Sequence, residues 1–524
     1  MRENQVSRRG LLAGAGAAAV VLAAGRGEAA AETSAAVIVR PGDSRYENLL
    51  RGNNFRFVNR PDEIRVAASA DQVVRAVRDA VRSNRRIAMR SGGHCFENLT
   101  AGQDVRLLLD LSPMNAVGYD AGKRAFFVEP GATLGQVYRA LLTGWNVTIP
   151  GGGCPEVGAG GHIAGGGYGP LSRRYGSVVD HLYGVEVVVA DGRTVTATRE
   201  PDDPNRDLWW AHTGGGGGNF GVVTRYWLRS PGATGGPGQL LPPAPKEMLQ
   251  HVIFWSWEHL TEQTLARLIR NFGEWHERNS APGAREAGVY GILEASHRTG
   301  GTAFLSVQLD AGLPDADGLA TRFVEAVTAG VDVPRALDLR RTMPWLHRMT
   351  WPGTGEPGDV LTRRYKIKTG YLRRQFTEAQ LAAVCRNLTN DGVPGGSLLL
   401  VGYGGQAGAV APDATAIAQR DEVMKAVYQA IWADEADDAA NLAWVRNFYR
   451  DVYAETGGVP VPNDVNDGSY INYANADLAD PAWNTSGVSA QRLYYKDNYP
   501  RLQRVKAKWD PRNVFRHSLS VQPQ

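Results

Sequence analysis

Two nucleophilic side chains stand in loops where almost every neighbour is glycine. His94 lies in Arg90-Ser91-Gly92-Gly93-His94-Cys95-Phe96. Cys154 follows Gly153 in a stretch that runs on through Val157, Gly160-Gly161-His162 and Gly167-Tyr168-Gly169. A third run, Thr213 to Gly221, carries Gly218 and Asn219 and leads into Val222-Val223. Backbone this rich in glycine turns through positive φ and lies against something flat, and its N–H groups make cradles for a pyrophosphate. An imidazole nitrogen and a thiolate, the soft nucleophile among side chains, are then placed to bond to whatever the loops hold. The pattern predicts a large cofactor gripped by three loops and bonded to the protein. His162 and Asp180 read as structural or cofactor-contacting groups rather than catalysts, and Cys95, beside Phe96, as a packing residue.

The elements around these loops predict an α+β fold. Residues 62–90 read as β-α-β: a strand at 63–67, a helix at 70–83 with Val73, Val74, Val77 and Val81 on one face, and a strand at 87–89 entering the first loop. Strands follow at 106–111 and 126–129, then a helix at 133–142. Strands at 185–190 and 194–197 flank Asp191-Gly192, a strong hairpin signal. Five consecutive glycines satisfy a dinucleotide fingerprint by chance, but that fingerprint opens a helix, and 222–228 reads as a strand. Pro231 to Pro245 marks a boundary by composition. Beyond it, strands at 251–257, 289–296, 302–310, 398–403 and 424–432 alternate with helices at 261–279, 315–329, 377–390 and 437–456. These suit an antiparallel sheet backed by helices. The expected organisation is a signal segment at 1–31, a cofactor domain at 32–230, a substrate domain at 246–456, and a C-terminal segment at 457–524 that returns to the cofactor domain.

With 524 residues the chain is too long for one small core. Its net charge is +3 and it has no dense basic run, which argues against a nucleic-acid partner. Ser7-Arg8-Arg9-Gly10-Leu11-Leu12, a weakly apolar stretch to Gly25, and Ala29-Ala30-Ala31 form a twin-arginine signal pattern with a cleavage site near Ala31, too short to span a bilayer. The mature chain is expected outside the cytoplasm with no membrane anchor. Three cysteines, Cys95, Cys154 and Cys385, are too few for a disulfide framework and fit no zinc spacing; no metal site is expected. Cys385 falls in a helical pattern and reads as core.

Arg90-Ser-Gly-Gly-His94, Gly153-Cys154, Gly160 through Gly169, Gly218-Asn-Phe-Gly-Val-Val223, Tyr470-Ile-Asn-Tyr473 and Trp509-Asp-Pro-Arg-Asn513 together resemble the berberine-bridge-enzyme-like flavoprotein oxidases. These belong to the vanillyl-alcohol-oxidase/p-cresol-methylhydroxylase superfamily. The resemblance covers about Tyr46 to Pro523, and the wording is most similar to bacterial members that tailor glycosylated natural products, the aclacinomycin and glycopeptide hexose oxidases. It implies FAD bonded to both His94, through the C8 methyl, and Cys154, through C6. It also implies that Arg90, Ser91, Gly92, Gly93, Gly153, Gly160, Gly161, His162, Gly167, Gly218, Asn219, Val223, Tyr470 and Asn472 contact the cofactor. By the same resemblance Tyr473 is the base for an alcohol proton, with Tyr403 and Tyr168 as further active-site tyrosines. Val157 is a small gate residue that admits O2. A phenol has an unperturbed pKa of about 10, so a second polar group must favour the phenolate of Tyr473. Around Ser397 and Val401 the chain departs from the aclacinomycin enzyme, so that enzyme's substrate does not carry over.

The expected activity is oxidation of a secondary alcohol or hemiacetal of a sugar or glycosylated natural product to a ketone or lactone, with O2 reduced to H2O2. The alternatives are an oxidative cyclase or desaturase, and a secreted carrier that binds flavin or a glycan without turnover.

Overall fold

The computed structural model describes residues 35–350 and 363–524. The twin-arginine pattern lies outside them. No helix among the described residues is long and apolar enough to cross a membrane.

Three sheets carry the site, and the fold is α+β as expected. In the first, Val37–Val39, Glu63–Val66, Leu107–Asp110 and Ile87–Arg90 lie side by side in that order. The last three are parallel, so a crossover must join Glu63–Val66 to Ile87–Arg90. It is the helix Ala70–Arg82, capped by Ser69, which accepts the Gln72 N–H. That helix buries Val73, Ala76, Val77 and Ala80, an i, i+3, i+4, i+7 stripe. Its return strand delivers the chain into the first glycine loop.

The second sheet has five antiparallel strands in the order Val117–Asp120, Ala125–Val128, Val222–Leu228, Leu182–Val188, Thr194–Thr198. The Asp191-Gly192 hairpin closes with the Gly192 N–H on Val189 O at 2.8 Å, and Gly192 takes φ 80° there. Val222–Leu228 leaves the third loop as a strand, as its β-branched and aromatic residues predict.

The third sheet has seven strands and is antiparallel throughout. Its order is Leu337–Pro344, Glu247–Ser256, Thr302–Asp310, Tyr290–Ser296, Gly396–Gly402, Met424–Trp432, Arg364–Leu372. The two edge strands were not legible in the sequence. Leu337–Pro344 is mostly exposed and carries charge on both faces. Arg364–Leu372 places Lys366 and Lys368 in the interior, both 1% exposed, which breaks the apolar pattern of a strand. Helices Glu262–Asn279, Ala316–Thr328, Glu378–Thr389 and Asp438–Val452 accompany this sheet. The last ends four residues before the expected Thr456, where the chain passes into a short 3-10 turn.

The proline-rich stretch near 231–245 is no gap in packing. Leu240 and Leu241 are buried in the same apolar core as the helix Leu134–Trp145 and the seven-stranded sheet. Residues of the C-terminal segment bind the third glycine loop directly. Lys506 Nζ, fully buried, donates to Asn219 O at 2.7 Å, Asn219 Oδ1 accepts the Val521 N–H at 2.9 Å, and Tyr495 donates to Gly215 O at 2.9 Å.

Candidate active site

All three glycine loops open onto one cavity of about 410 Å³, roofed by the seven-stranded sheet and closed by the turn that holds Tyr473. The loops approach backbone to backbone. A Cβ on Gly92 would stand 2.5 Å from Gly158 N, and one on Gly158 would stand 2.1 Å from Ser91 Oγ. Where the loops face the cavity the space is open. A Cβ on Gly161 would meet nothing within 4 Å, and one on Gly217 only Ala164 Cβ at 3.9 Å. These glycines form a cradle that side chains would fill, which fits a long, flat, phosphate-bearing cofactor.

His94 and Cys154 are both half-buried on the wall of this cavity. Cys95 is not a competing nucleophile: its Sγ donates to Glu97 O at 3.1 Å, and burial pushes its thiol up to about 11. Cys385 is buried in the helix Glu378–Thr389, as expected. Arg90, Ser91, Gly92, Gly93, Gly153, Val157, Gly160, Gly161, Gly218, Asn219 and Val223 line the cavity. The Arg90 guanidinium itself is spent on Asp110, at 2.5 Å.

His162 also reaches the wall. Its Nε2 accepts the Gly152 N–H at 3.2 Å, and burial, reinforced by the Lys425 charge, holds it down to about 4. The neutral ring supports the loop from the cavity wall, and Asp180 is held in a buried ion pair with Arg420 at 2.7 Å.

The tyrosines divide by environment. Tyr473, half-buried, ends the 3-10 turn Ile471–Tyr473 and lines the cavity. Its ring rests on Phe96 at 4.9 Å and Tyr470 at 5.5 Å between centroids. Burial pushes Tyr470 up to about 12, and its oxygen accepts from Asn472 Nδ2 at 3.1 Å, the same amide that donates to His162 O at 2.9 Å. Tyr168 reaches the cavity too, but it donates to Gly402 O at 2.6 Å and burial raises its pKa.

Two expectations are corrected. Tyr403 is not among the lining residues: it stacks behind Tyr168 at 4.7 Å and donates to Gln419 O at 3.2 Å. It is 1% exposed, because the chain turns at Gly404 just past the end of the sheet and folds its ring inward. Gly167 likewise stands behind the wall. Its carbonyl accepts the Val178 N–H at 3.0 Å, so it shapes the loop without facing the cavity.

Lys425 is a cavity residue that sequence reasoning missed. It is 4% exposed, lines the cavity, and holds its Nζ 4.0 Å from the ring of Tyr168, 4.7 Å from Tyr470 and 5.9 Å from Tyr473. The available signal was a lone lysine at an inward register position of the strand Met424–Trp432, between Met424 and Ala426. An ammonium this close favours a phenolate over a phenol. The cavity therefore joins two nucleophiles on a glycine-lined wall to a tyrosine beside a buried cation.

The FAD binding domain family matches residues 61–198, which include His94 and Cys154. The berberine and berberine-like family matches residues 469–522, which include Tyr473. Aclacinomycin-N/aclacinomycin-A oxidase of Streptomyces galilaeus is 53% identical over 519 residues, or 98% of this chain and 94% of that protein. The chain belongs to the berberine-bridge-enzyme-like FAD-linked oxidases. It is an FAD-dependent oxidase. A glycopeptide hexose oxidase solved with teicoplanin has a TM-score of 0.88 at 49% identity, covering 94% of this chain and 99% of that one. Hexose oxidase of Chondrus crispus is 31% identical over 474 residues, or 82% of this chain and 84% of that protein.

Proposed function

We propose that this oxidase removes two hydrogens from a secondary alcohol or hemiacetal carbon of a sugar, free or carried on a natural product, to give a ketone or lactone. The observation that carries the reading is the convergence of His94, Cys154, Tyr473 and Lys425 on one cavity. The names of the relatives, which act on aclacinomycins, hexoses and a glycopeptide, support the substrate class.

His94 and Cys154 are the residues that would hold FAD, one bond each. Bound there, FAD supplies the acceptor for the hydride of the alcohol carbon and passes the electron pair to O2, giving H2O2. The chain's own residues do the rest. Tyr473 takes the hydroxyl proton as a general base. Lys425, on the sheet side, favours the phenolate form in which Tyr473 can take that proton, and Phe96 and Tyr470 fix the tyrosine ring. Val157, half-buried on the wall beside Cys154, leaves room for O2. Peroxide release from the purified protein, assayed against free sugars and glycosylated antibiotics, tests the reading. Turnover of at least one sugar or glycoside supports it, and the absence of peroxide across the panel overturns it.

The same reading holds that the chain is exported folded, already carrying its cofactor, with Arg8 and Arg9 as the signal. Arg8→Lys with Arg9→Lys is expected to leave an uncleaved precursor in the cytoplasmic fraction. Unchanged export and cleavage of this variant would refute the twin-arginine route.

A further inference from the structure

The strand Arg364–Leu372 is one edge of the seven-stranded sheet, and two loops meet on it. Side chains alternate along a strand, so Tyr365 and Ile367 line the cavity while Lys366 and Lys368 point to the opposite face. On the cavity face, Phe96 of the first glycine loop rests on Tyr365 at 5.4 Å and on Tyr473 at 4.9 Å between ring centroids. On the opposite face the same two segments present carboxylates, and both reach one cation. Lys366 Nζ donates to Glu97 Oε1 and stands 3.4 Å from Asp477 Oδ1. Glu97 follows His94 by three residues, and Asp477 follows Tyr473 by four. Asp477 is held further by Lys368 Nζ at 2.9 Å and by Arg446 at 2.9 Å. All of Glu97, Lys366, Lys368 and Asp477 are buried. Burial opposes ionisation of Asp477, yet the Lys368 and Lys366 charges hold its carboxyl well below the usual carboxylate range.

Resting on the reading of Tyr473 as the base, we infer that Lys366 is a positioning residue: shared by Glu97 and Asp477, it fixes the turn that carries Tyr473 relative to the loop that carries His94. Neither segment has regular structure enough to do this alone, since one is a glycine loop and the other a three-residue 3-10 turn. The ring contact between Phe96 and Tyr473 is apolar and non-directional, so it allows sliding. The ion cluster does not. A buried ammonium can leave either carboxylate only by stranding a charge away from water, which is strongly unfavourable. Lysine suits the place because its charge is compact and its three donors serve two acceptors at once. A misplacement of about 1 Å at a reacting group costs on the order of a hundredfold in rate. Lys366 therefore bears on proton transfer at Tyr473 although it does not line the cavity.

The test uses the FAD-loaded full-length chain, mixed without oxygen with a sugar or glycoside that supports peroxide release. Lys366→Met together with Glu97→Gln removes a cation and an anion at once and leaves Asp477 to Lys368 and Arg446, so the variant should fold. Its saturating rate of flavin reduction should fall roughly ten- to a hundredfold, with the substrate Kd unchanged, because the contact acts on the transition state and not on binding. In a Tyr473→Phe background the same two substitutions should slow reduction no further, since the lysine acts through that phenol. Glu97→Gln alone should show the same pattern with a smaller loss, and carries the test if the paired variant does not fold. Hydrogen exchange, which needs no turnover, should rise in Glu97→Gln both at the amides of 92–97 and at those of 470–477, although the substitution lies in only the first segment. Reduction at the parental rate, a loss of the same factor with and without the Tyr473 hydroxyl, or exchange that rises in 92–97 alone overturns the inference while Tyr473 stays the base. If Tyr473→Phe is itself reduced at the parental rate, the base assignment falls and takes this inference with it.

Discussion

Tyr473→Phe should slow reduction of the cofactor by alcohol about 10²- to 10⁴-fold, the usual loss when a general base is removed. The decrease should appear in kcat and kcat/KM together, since the proton moves only in the transition state. Folding and cofactor attachment should survive, because the ring contacts with Phe96 and Tyr470 do not need the hydroxyl. Tyr168→Phe is the control. Its hydroxyl is committed to Gly402 O and is held protonated by burial, so a smaller loss is expected. Tyr403→Phe, one ring further back, should cost less still. Lys425→Met then tests how the base is poised. Removing a buried cation 5.9 Å from the ring raises the pKa of the phenol, and a base works only when deprotonated. The acid limb of the kcat–pH profile should therefore move to higher pH. Rapid mixing without oxygen isolates this half of the reaction. If Tyr473→Phe is reduced as fast as the parent and Tyr168→Phe is not, the two roles must be exchanged.

His94→Ala combined with Cys154→Ala should release all of the FAD when the protein is denatured, whereas the parent should release none. Each single variant should keep its flavin through the remaining bond. The half-buried imidazole and thiol on the cavity wall motivate the claim; the thiol of Cys95, pushed up to about 11 and turned to Glu97 O, offers no substitute. The glycine cradle is untouched by these substitutions, so the double variant should still bind FAD reversibly and stay folded. Acid precipitation followed by absorbance of the supernatant reads the outcome. Free flavin from the parent protein, or flavin retained by the double variant, would contradict the assignment.

What the sequence made legible followed from local rules. The helix Ala70–Arg82 and the strands Val222–Leu228 and Met424–Trp432 carry strong periodicity, and the three glycine loops announce a cradle. His94, Cys154 and Tyr473 stood out because their neighbours are distinctive, and all three line the cavity. Lys425, Glu294 and Gln429 did not, since each is an isolated polar residue between apolar neighbours, and only the register that aligns Val401 with Lys425 and Ser397 with Gln429 shows which of them share the cavity face. Tyr403 erred in the opposite way. Its glycine-rich surroundings read as a site loop, but the turn after the strand buries the ring behind Tyr168. The short helix Ala159–Ala164 was hidden for a related reason: it contains two glycines, which are poor helix formers, and is fixed by packing rather than propensity.

A single-turnover experiment with the cofactor-loaded protein tests the alcohol oxidation most directly. Mixed without oxygen with one equivalent of a sugar or glycoside that supports peroxide release, the flavin absorbance should bleach fully. The product should be two hydrogens lighter and carry a new carbonyl: a ketone takes up one deuterium at carbon from borodeuteride beyond what the unoxidised substrate takes up, and a lactone hydrolyses to an acid. A flavin that stays oxidised, or a product that has lost two hydrogens by ring closure or desaturation and gains no deuterium, would contradict it.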